Sequence, residues 1–307
     1  MSSIMTNSSA MNALSTLRGI NSSLDTTQSR ISTGLKINSG KDNAAYFNIS
    51  ETMKGDSSAY SAINEGLTLT NNSVATARLG TETFQEQAQR FQERVAFAQG
   101  ATGGLDDIQT ELDAILKEMT NTIQSSTFNG DDMVNAANAG TVAGASVDAT
   151  TGALTSATET TSTRSVVTGI TRDSTGISTT TLDVDTVDLS AMLADFTAIA
   201  AGFSTNGADA TNGAAYLAGV LSASESVLAR ATSAATQLGV SEESIDNQQE
   251  FLTNLTDNLD TGVGAMVDAD MEEEAARLQA LQVQQQLATQ SLSIANQAPQ
   301  NLLSLFQ

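Results

Sequence analysis

The feature that most constrains the fold is a continuous apolar stripe in the first third of the chain. Alternating steps of three and four residues from Tyr46 to Ala98 reach sixteen positions, and only three of these are polar. A stripe that keeps this spacing over such a length is typical of a coiled-coil seam on one helix. The pattern predicts a helix over Ala44–Gln99, which would be ~80 Å long at the usual rise per residue.

Two further helices follow from the same kind of pattern. After a glycine-containing turn at residues 100–104, apolar positions in residues 105–125 predict a return helix that packs antiparallel to the first. Nearer the other end, eleven of fifteen stripe positions in residues 217–266 are apolar. This predicts a second long helix, with Gly239 or Gly262 as a joint between segments.

The middle of the chain differs in kind. Residues 135–189 are rich in Thr, Ser, Ala, Gly and Asp and show no helical stripe. Two short strands are predicted at Ser165–Thr171 and Ile177–Leu182, around a turn at residues 173–176. The expected fold class is therefore mainly α. Long antiparallel coiled-coil helices would come from both chain ends, and a small β-containing or irregular central insertion would form a tip.

Both ends repeat the helical pattern without charge. Residues 1–17 and 278–307 contain no ionisable side chain, whereas solvated helices normally carry Lys and Glu. Such helices are suited to burial, either within their own domain or against other copies. The apolar positions at each end of the chain form one half of a coiled-coil seam, and we expect these two half-seams to pair with each other. The candidate self-assembly residues are Leu14, Leu17, Leu24, Ile31 and Leu35, with Asn21 and Gln28 in the same heptad series, and Leu278, Leu281, Leu287, Leu292, Ile294, Leu302, Leu303, Leu305 and Phe306.

Composition removes most catalytic chemistry. The 307 residues include no His, no Cys and no Trp, which excludes a Ser-His-Asp triad, a thiolate nucleophile and the usual zinc or iron–sulfur ligand sets. The 13 Lys and Arg against 35 Asp and Glu give a net charge of −22, which repels nucleic acid. We therefore expect a structural protein without catalytic residues, cofactor or metal.

No membrane segment is predicted, because polar residues interrupt every apolar run. The first basic residue is Arg18, so no basic segment precedes an apolar one as in a secretory signal peptide. If the protein leaves the cell, we expect it to use another route.

Five carboxylates between Asp268 and Glu274 allow two interpretations. They could bind a divalent cation. Alternatively, Asp268 or Asp270 caps a helix that starts here, and the Glu residues lie at the positive end of its dipole. The second interpretation is favoured.

Several motifs resemble those of bacterial flagellins. The segment Ile31–Ala45, ISTGLKINSGKDNAA, is similar to the N-terminal signature of that family. Val267–Met271, VDADM, and the QVQQQ, IANQAPQN and LLSLF motifs after it resemble the flagellin C-terminus in its alphaproteobacterial form. Phe128–Gly130 is similar to the motif that closes the family's second helix. The resemblance covers residues 1–130 and 210–307.

The resemblance implies a subunit that polymerises into the helical extracellular filament used for swimming. It implies an inner coiled coil of residues 1–43 and 268–307, a helical shell of residues 44–134 and 190–267, and an outward-facing variable part at 135–189. The implied partners are copies of itself, other flagellins, hook-associated and cap proteins, and an export chaperone. Export would use the flagellar type III apparatus without a cleaved signal peptide, and the terminal helices would order on assembly.

One stretch departs from the family pattern. In many flagellins an Arg and a Glu recur in the stretch that innate immunity recognises, and Glu93 and Ala96 replace them here. We therefore expect weak activation of the flagellin-sensing Toll-like receptor. The zinc protease that some flagellins carry is excluded, since the chain has no His.

Two other functions compete with the filament subunit. A hook–filament junction protein shares related end helices, but the ending Asn-Gln-x-Pro-Gln-Asn at residues 296–301 favours the filament subunit. A soluble coiled-coil scaffold or acidic adhesin would tolerate charged, solvated ends, which this chain lacks.

Overall fold

The computed structural model of the protein describes residues 7–101, 103–141, 144–173 and 176–304. These residues form seven α-helices, one short 3₁₀ turn and two small antiparallel sheets, so the predicted fold class is confirmed. None of the helices in this part of the chain is both long and apolar enough to cross a membrane. The elements are α1 (Ser8–Thr33), α2 (Ala44–Ala98), α3 (Leu105–Ser125), β1 (Ser146–Val147), β2 (Leu154–Thr155), β3 (Thr163–Asp173), β4 (Gly176–Asp185), α4 (Leu189–Ala200), α5 (Phe203–Gly207), α6 (Gly213–Val267) and α7 (Met271–Ser304).

The chain divides into two compact units. The first contains residues 1–58 and 255–307, and the second contains residues 59–254. Helices α2 and α6 contribute residues to both units, and within the second unit they run antiparallel, with Gln249 Nε2 donating to Thr68 Oγ1 over 2.9 Å. The stripe expected from the sequence supplies much of the core of this unit. Its fully buried residues include Leu67, Val74, Phe84, Phe91 and Val95.

Helix α3 returns along α2 as predicted. Ion pairs of 3.0 Å join Arg90 to Glu118 and Arg94 to Glu111, which fixes the antiparallel register of the two helices. The opposite face of α3 is buried in the core of the second unit. Because the chain turns at Ser126 close to α2, a Cβ at Gly80 would overlap the Ser126 side chain, so this glycine is needed for the approach.

The C-terminal long helix differs from the prediction in one respect. A joint at Gly239 or Gly262 was wrong, because α6 is continuous from Gly213 to Val267. A glycine inside a helix costs about 1 kcal/mol relative to Ala. Burial of neighbouring side chains offsets this cost, since Leu238 and Ile245 are fully buried.

Helix α4 was not predicted from the sequence. Nine of its twelve residues are buried, and its side chains are apolar on nearly all sides. A helix buried all round carries no amphipathic stripe, which is the pattern that periodicity detects.

The central insertion contains the predicted hairpin, with strands longer than expected. Tyr60 Oη donates to Ile170 O and Gln248 Nε2 donates to Thr168 O, each over 2.9 Å, so that the hairpin lies on α2 and α6. Val166 joins the helical core. The insertion therefore shares the core of the second unit, whereas the sequence suggested a separate tip. The place of residues 135–189 in an assembly stays a prediction.

Candidate functional site

The candidate site is the pair of terminal helices in the first unit, and local capping sets where each helix begins. Asn7 Oδ1 accepts from Ala10 N over 3.1 Å at the start of α1. Asp270 Oδ1 accepts from the backbone N–H groups of Glu272 and Glu273, over 3.0 and 3.1 Å, so that α7 begins directly after it. The capping interpretation of the acidic cluster is thus confirmed for Asp270. In the described ranges, no three acidic side chains are arranged to hold a metal ion.

Helices α1 and α7 pack along each other in opposite directions. Near one end of the pair, Asn7 Nδ2 donates to Ala295 O over 2.8 Å. Further along, Gln285 Nε2 donates to Asn21 Oδ1 over 2.8 Å. The two half-seams from opposite ends of the chain therefore do pair.

Leu17, Leu24 and Ile31 on α1 and Leu278, Leu281 and Leu292 on α7 lie in the inward seam, as predicted. Leu14, Asn21 and Gln28 are exposed, although Asn21 still reaches α7 through its hydrogen bond with Gln285. Their predicted places in the seam are taken by Ala13, Ile20 and Thr27, one residue earlier in each case. The half-buried or buried positions are Ala10, Ala13, Leu17, Ile20, Leu24, Thr27 and Ile31 on α1, and Leu278, Leu281, Gln285, Ala288, Leu292 and Ala295 on α7.

A second apolar stripe on the same two helices faces solvent. Of the predicted assembly residues, Leu14, Leu287 and Ile294 are 37%, 57% and 69% exposed. Met11 and Val283, which the sequence reasoning did not single out, are 65% and 55% exposed. These five residues are called the outward stripe below. An exposed apolar set on neutral helices can bind other protein surfaces.

The remaining predicted assembly residues are Leu35, which directly follows the C-cap of α1, and four residues near the C-terminal end of the sequence. Leu35 is half-buried and packs against a small core around Val263 and Val267. Leu302 and Leu303 belong to α7, but their side chains lie outside the described residues, as do Leu305 and Phe306 entirely.

The helix pair buries little of its own surface. Among the 26 residues of α1, only Thr27 is buried, whereas six of the 21 residues of α3 are buried. Ordering the backbone costs roughly 1–2 kcal/mol per residue. The pair therefore needs apolar burial beyond its own seam to be stable.

A buried carboxylate interrupts the neutral seam. The Glu274 side chain is only 6% exposed, and its Oε1 atom lies 3.0 Å from Arg30 Nη1 and 3.3 Å from Arg277 Nη1. Burial raises the pKa of Glu274, but the hydrogen bond from Arg30 and the charge of Arg277 lower it more, so that its pKa lies below the usual value. Sequence reasoning missed this site, although stepping back four residues from Leu278 places a charge at a seam position.

The stretch predicted to alter immune recognition lies on α2 in the second unit. Glu93 and Ala96 are both exposed, and the neighbouring Arg94 is paired with Glu111. Neither side chain forms a hydrogen bond or an ion pair with another residue in the part of the chain that the structure describes.

Comparison with known proteins gives a consistent result. Residues 4–139 match the family profile described as the bacterial flagellin N-terminal helical region, and residues 221–306 match the bacterial flagellin C-terminal helical region. A flagellin of Brucella melitensis is 35% identical over 308 positions, and flagellin C of Rhizobium meliloti is 34% identical over 320. In both cases the whole of each chain is covered.

A solved structure shares the fold. It is described as a putative flagellar hook-associated protein from Vibrio parahaemolyticus, and it superposes with a TM-score of 0.53 at 13% identity. The similarity covers 74% of this chain and all of that one.

Proposed function

The chain belongs to the bacterial flagellin family, whose members are structural subunits of the extracellular flagellar filament and not enzymes, and we propose that it polymerises through the outward stripe. The observation that carries this proposal is a set of exposed apolar side chains within residues 1–17 and 278–307, the two stretches that contain no ionisable side chain. Each large apolar side chain contributes about 1.5–3 kcal/mol when it is fully buried. Contact with neighbouring copies supplies that burial.

The geometry of such contacts favours an open polymer. We propose that the outward stripe meets a different surface on the next copy, because pairing of two identical stripes would close as a dimer. A contact between unlike surfaces that does not close into a ring repeats as a helix. The outcome is a helical filament.

Assembly also orders the ends of the chain. Because α1 and α7 bury little surface in the isolated chain, the entropy of ordering them is met only when neighbouring copies cover the outward stripe. Because α1 and α7 become ordered only when subunits dock, free subunits are kept from polymerising early. The residues proposed for this step are the set predicted from the sequence near both chain ends, including Leu302, Leu303, Leu305 and Phe306.

Trypsin digestion tests the coupling. In the free subunit we expect rapid cleavage after Arg18 on α1 and after Arg277 on α7, because these two terminal helices bury little surface and open easily. In filaments cleavage at both sites should slow by at least about tenfold. Arg230 is an internal control, since it is held by Asp195 over 2.5 Å inside the second unit and should resist in both forms. Ends of the free subunit that resist trypsin as well as Arg230 does would contradict the proposal.

The division of the chain within the filament follows the family pattern. We assign residues 1–43 and 268–307 to an inner coiled coil, residues 44–134 and 190–267 to a helical shell, and residues 135–189 to the outer surface. The boundary at residue 268 in the first assignment is supported by the helix bounds, because α6 ends at Val267 and α7 begins at Met271.

Further partners belong to the same proposal. Hook-associated proteins, cap proteins, other flagellins and an export chaperone would each bind the neutral terminal helices. The fold shared with a protein described as hook-associated supports contacts between related end helices. Export would run through the flagellar type III apparatus without removal of a signal peptide.

A separate prediction concerns Glu93 and Ala96 and the activation of the flagellin-sensing Toll-like receptor. If they replace an Arg and a Glu that the flagellin-sensing Toll-like receptor contacts, the loss of charge-assisted hydrogen bonds should weaken activation by about tenfold or more. A reporter-cell assay would measure the half-maximal concentration of this protein beside an enterobacterial flagellin. Equal potency of the two proteins would refute the prediction.

A further inference from the structure

Helix α7 carries apolar side chains on two of its faces. One face, with Leu278, Leu281 and Leu292, packs along α1. Val283, Leu287 and Ile294 of the outward stripe lie on another face and are more than half exposed. Either face could bury a similar apolar area, so the hydrophobic effect alone discriminates weakly between them.

Backbone hydrogen bonds hold the base of the helix pair. Lys36 N donates to Val267 O over 2.6 Å, and Ala269 N donates to Gly34 O over 2.9 Å. All four residues lie outside α1 and α7, so these bonds do not involve the faces along which the two helices pack.

Glu274 distinguishes the two faces, because it lies on the same side of α7 as the inward seam. Its carboxylate is nearly fully buried and is joined to Arg30 across the helix pair. A rotation that turned Leu287 toward α1 would carry Glu274 away from Arg30. The rotation would break this hydrogen-bonded pair and leave Arg30, whose side chain is 25% exposed, without its partner, whereas exchange of one apolar face for another costs little.

We propose that Glu274, held by Arg30 and Arg277, is the positioning residue that selects which face of α7 pairs within the chain. The outward stripe is thereby left free for neighbouring copies. This inference rests on the proposed function, since the stripe is its assembly surface. A comparable use of a polar group in an apolar seam is to specify register in coiled coils.

A thiol cross-link can report the orientation of α7, because the chain has no Cys of its own. The side chains of Asn21 and Gln285 are in hydrogen-bond contact across the helix pair, so a short bismaleimide should join Asn21→Cys to Gln285→Cys within the chain when α7 has the observed orientation. The reporter chain is placed under polymerising conditions and treated briefly with this reagent. The cross-linked fraction of the total protein is then measured by gel mobility.

In this reporter chain, Glu274→Gln should lower the cross-linked fraction to about half, because two faces that bury similar apolar areas are then populated almost equally. Glu272→Gln is the matched control, since it removes the same charge from an exposed position in the same helix turn and should leave the fraction unchanged. An undiminished cross-link in Glu274→Gln overturns the proposal.

A second variant separates positioning from stability. Arg30→Gln with Glu274→Gln removes the ion pair and keeps both side chains polar, so that neither face of α7 gains apolar area. Positioning by Glu274 predicts helix content equal to that of the reporter chain together with a cross-linked fraction of about half the parental value. An undiminished cross-linked fraction in this variant overturns the proposal. If the unmodified protein stays monomeric under all conditions, the proposed function itself fails, which is a different outcome.

Discussion

Replacing Leu287 and Ile294 together by Ser should raise the critical concentration for polymerisation by about 100-fold or more. Both side chains are more than half exposed, so their loss costs the free subunit little. In the filament, burial of two large apolar residues contributes about 3–6 kcal/mol, and about 1.4 kcal/mol corresponds to a tenfold change in an equilibrium constant. Sedimentation of polymer over a range of subunit concentrations measures the effect.

The matched control is Ile177→Ser. Ile177 is 61% exposed, like the two residues on α7, but it lies on β4 in the insertion assigned to the outer surface. We expect a critical concentration within about threefold of the parental value, because single surface substitutions usually change free energies by under 0.5 kcal/mol. The assignment of the assembly surface to the outward stripe fails if the double variant polymerises as readily as this control.

Replacing Phe196 by Ala should lower the free energy of unfolding of the second unit by about 3–5 kcal/mol. Phe196 is fully buried on α4, and its ring centroid lies 4.8 Å from that of Phe91 and 6.1 Å from that of Phe84. Truncation removes both aromatic contacts and leaves a cavity where α4 meets α2. Urea unfolding of the free subunit, followed by circular dichroism, measures the change.

Phe251→Ala is the control for this substitution. The ring of Phe251, on α6, is 57% exposed, so we expect a change within about 0.5 kcal/mol in the free subunit. A loss below about 1 kcal/mol in the Phe196 variant would show that α4 does not join the core as described.

The size of the chain distinguishes it from some of its relatives. Its alignment with flagellin A of Rhizobium meliloti extends over 396 positions at 33% identity, with both chains fully covered. Because this chain has 307 residues, that relative contains additional segments. The alignment with the Brucella melitensis flagellin extends over only 308 positions. This chain and the Brucella melitensis flagellin therefore align with hardly any insertion.

Much of the fold could be read from periodicity. The stripe from Tyr46 to Ala98 predicted α2 to within one residue, since a seam at steps of three and four is produced only by a regular helix with one buried face. Helix α4 was not predicted from a stripe at this spacing because it is buried on all sides. The hairpin was found from turn residues and β-branched side chains.

The candidate site divides in the same way. The sequence by itself determined that both ends are amphipathic, neutral helices able to pair, because heptad spacing and the absence of charge are local properties. Only the tertiary structure decided which stripe faces inward, as Leu14 and Leu287 show by remaining exposed. It also joined Glu274 to Arg30, 244 residues apart. Helix phase and ion pairing depend on the partner surface, and that surface exists only once the two ends of the chain have met.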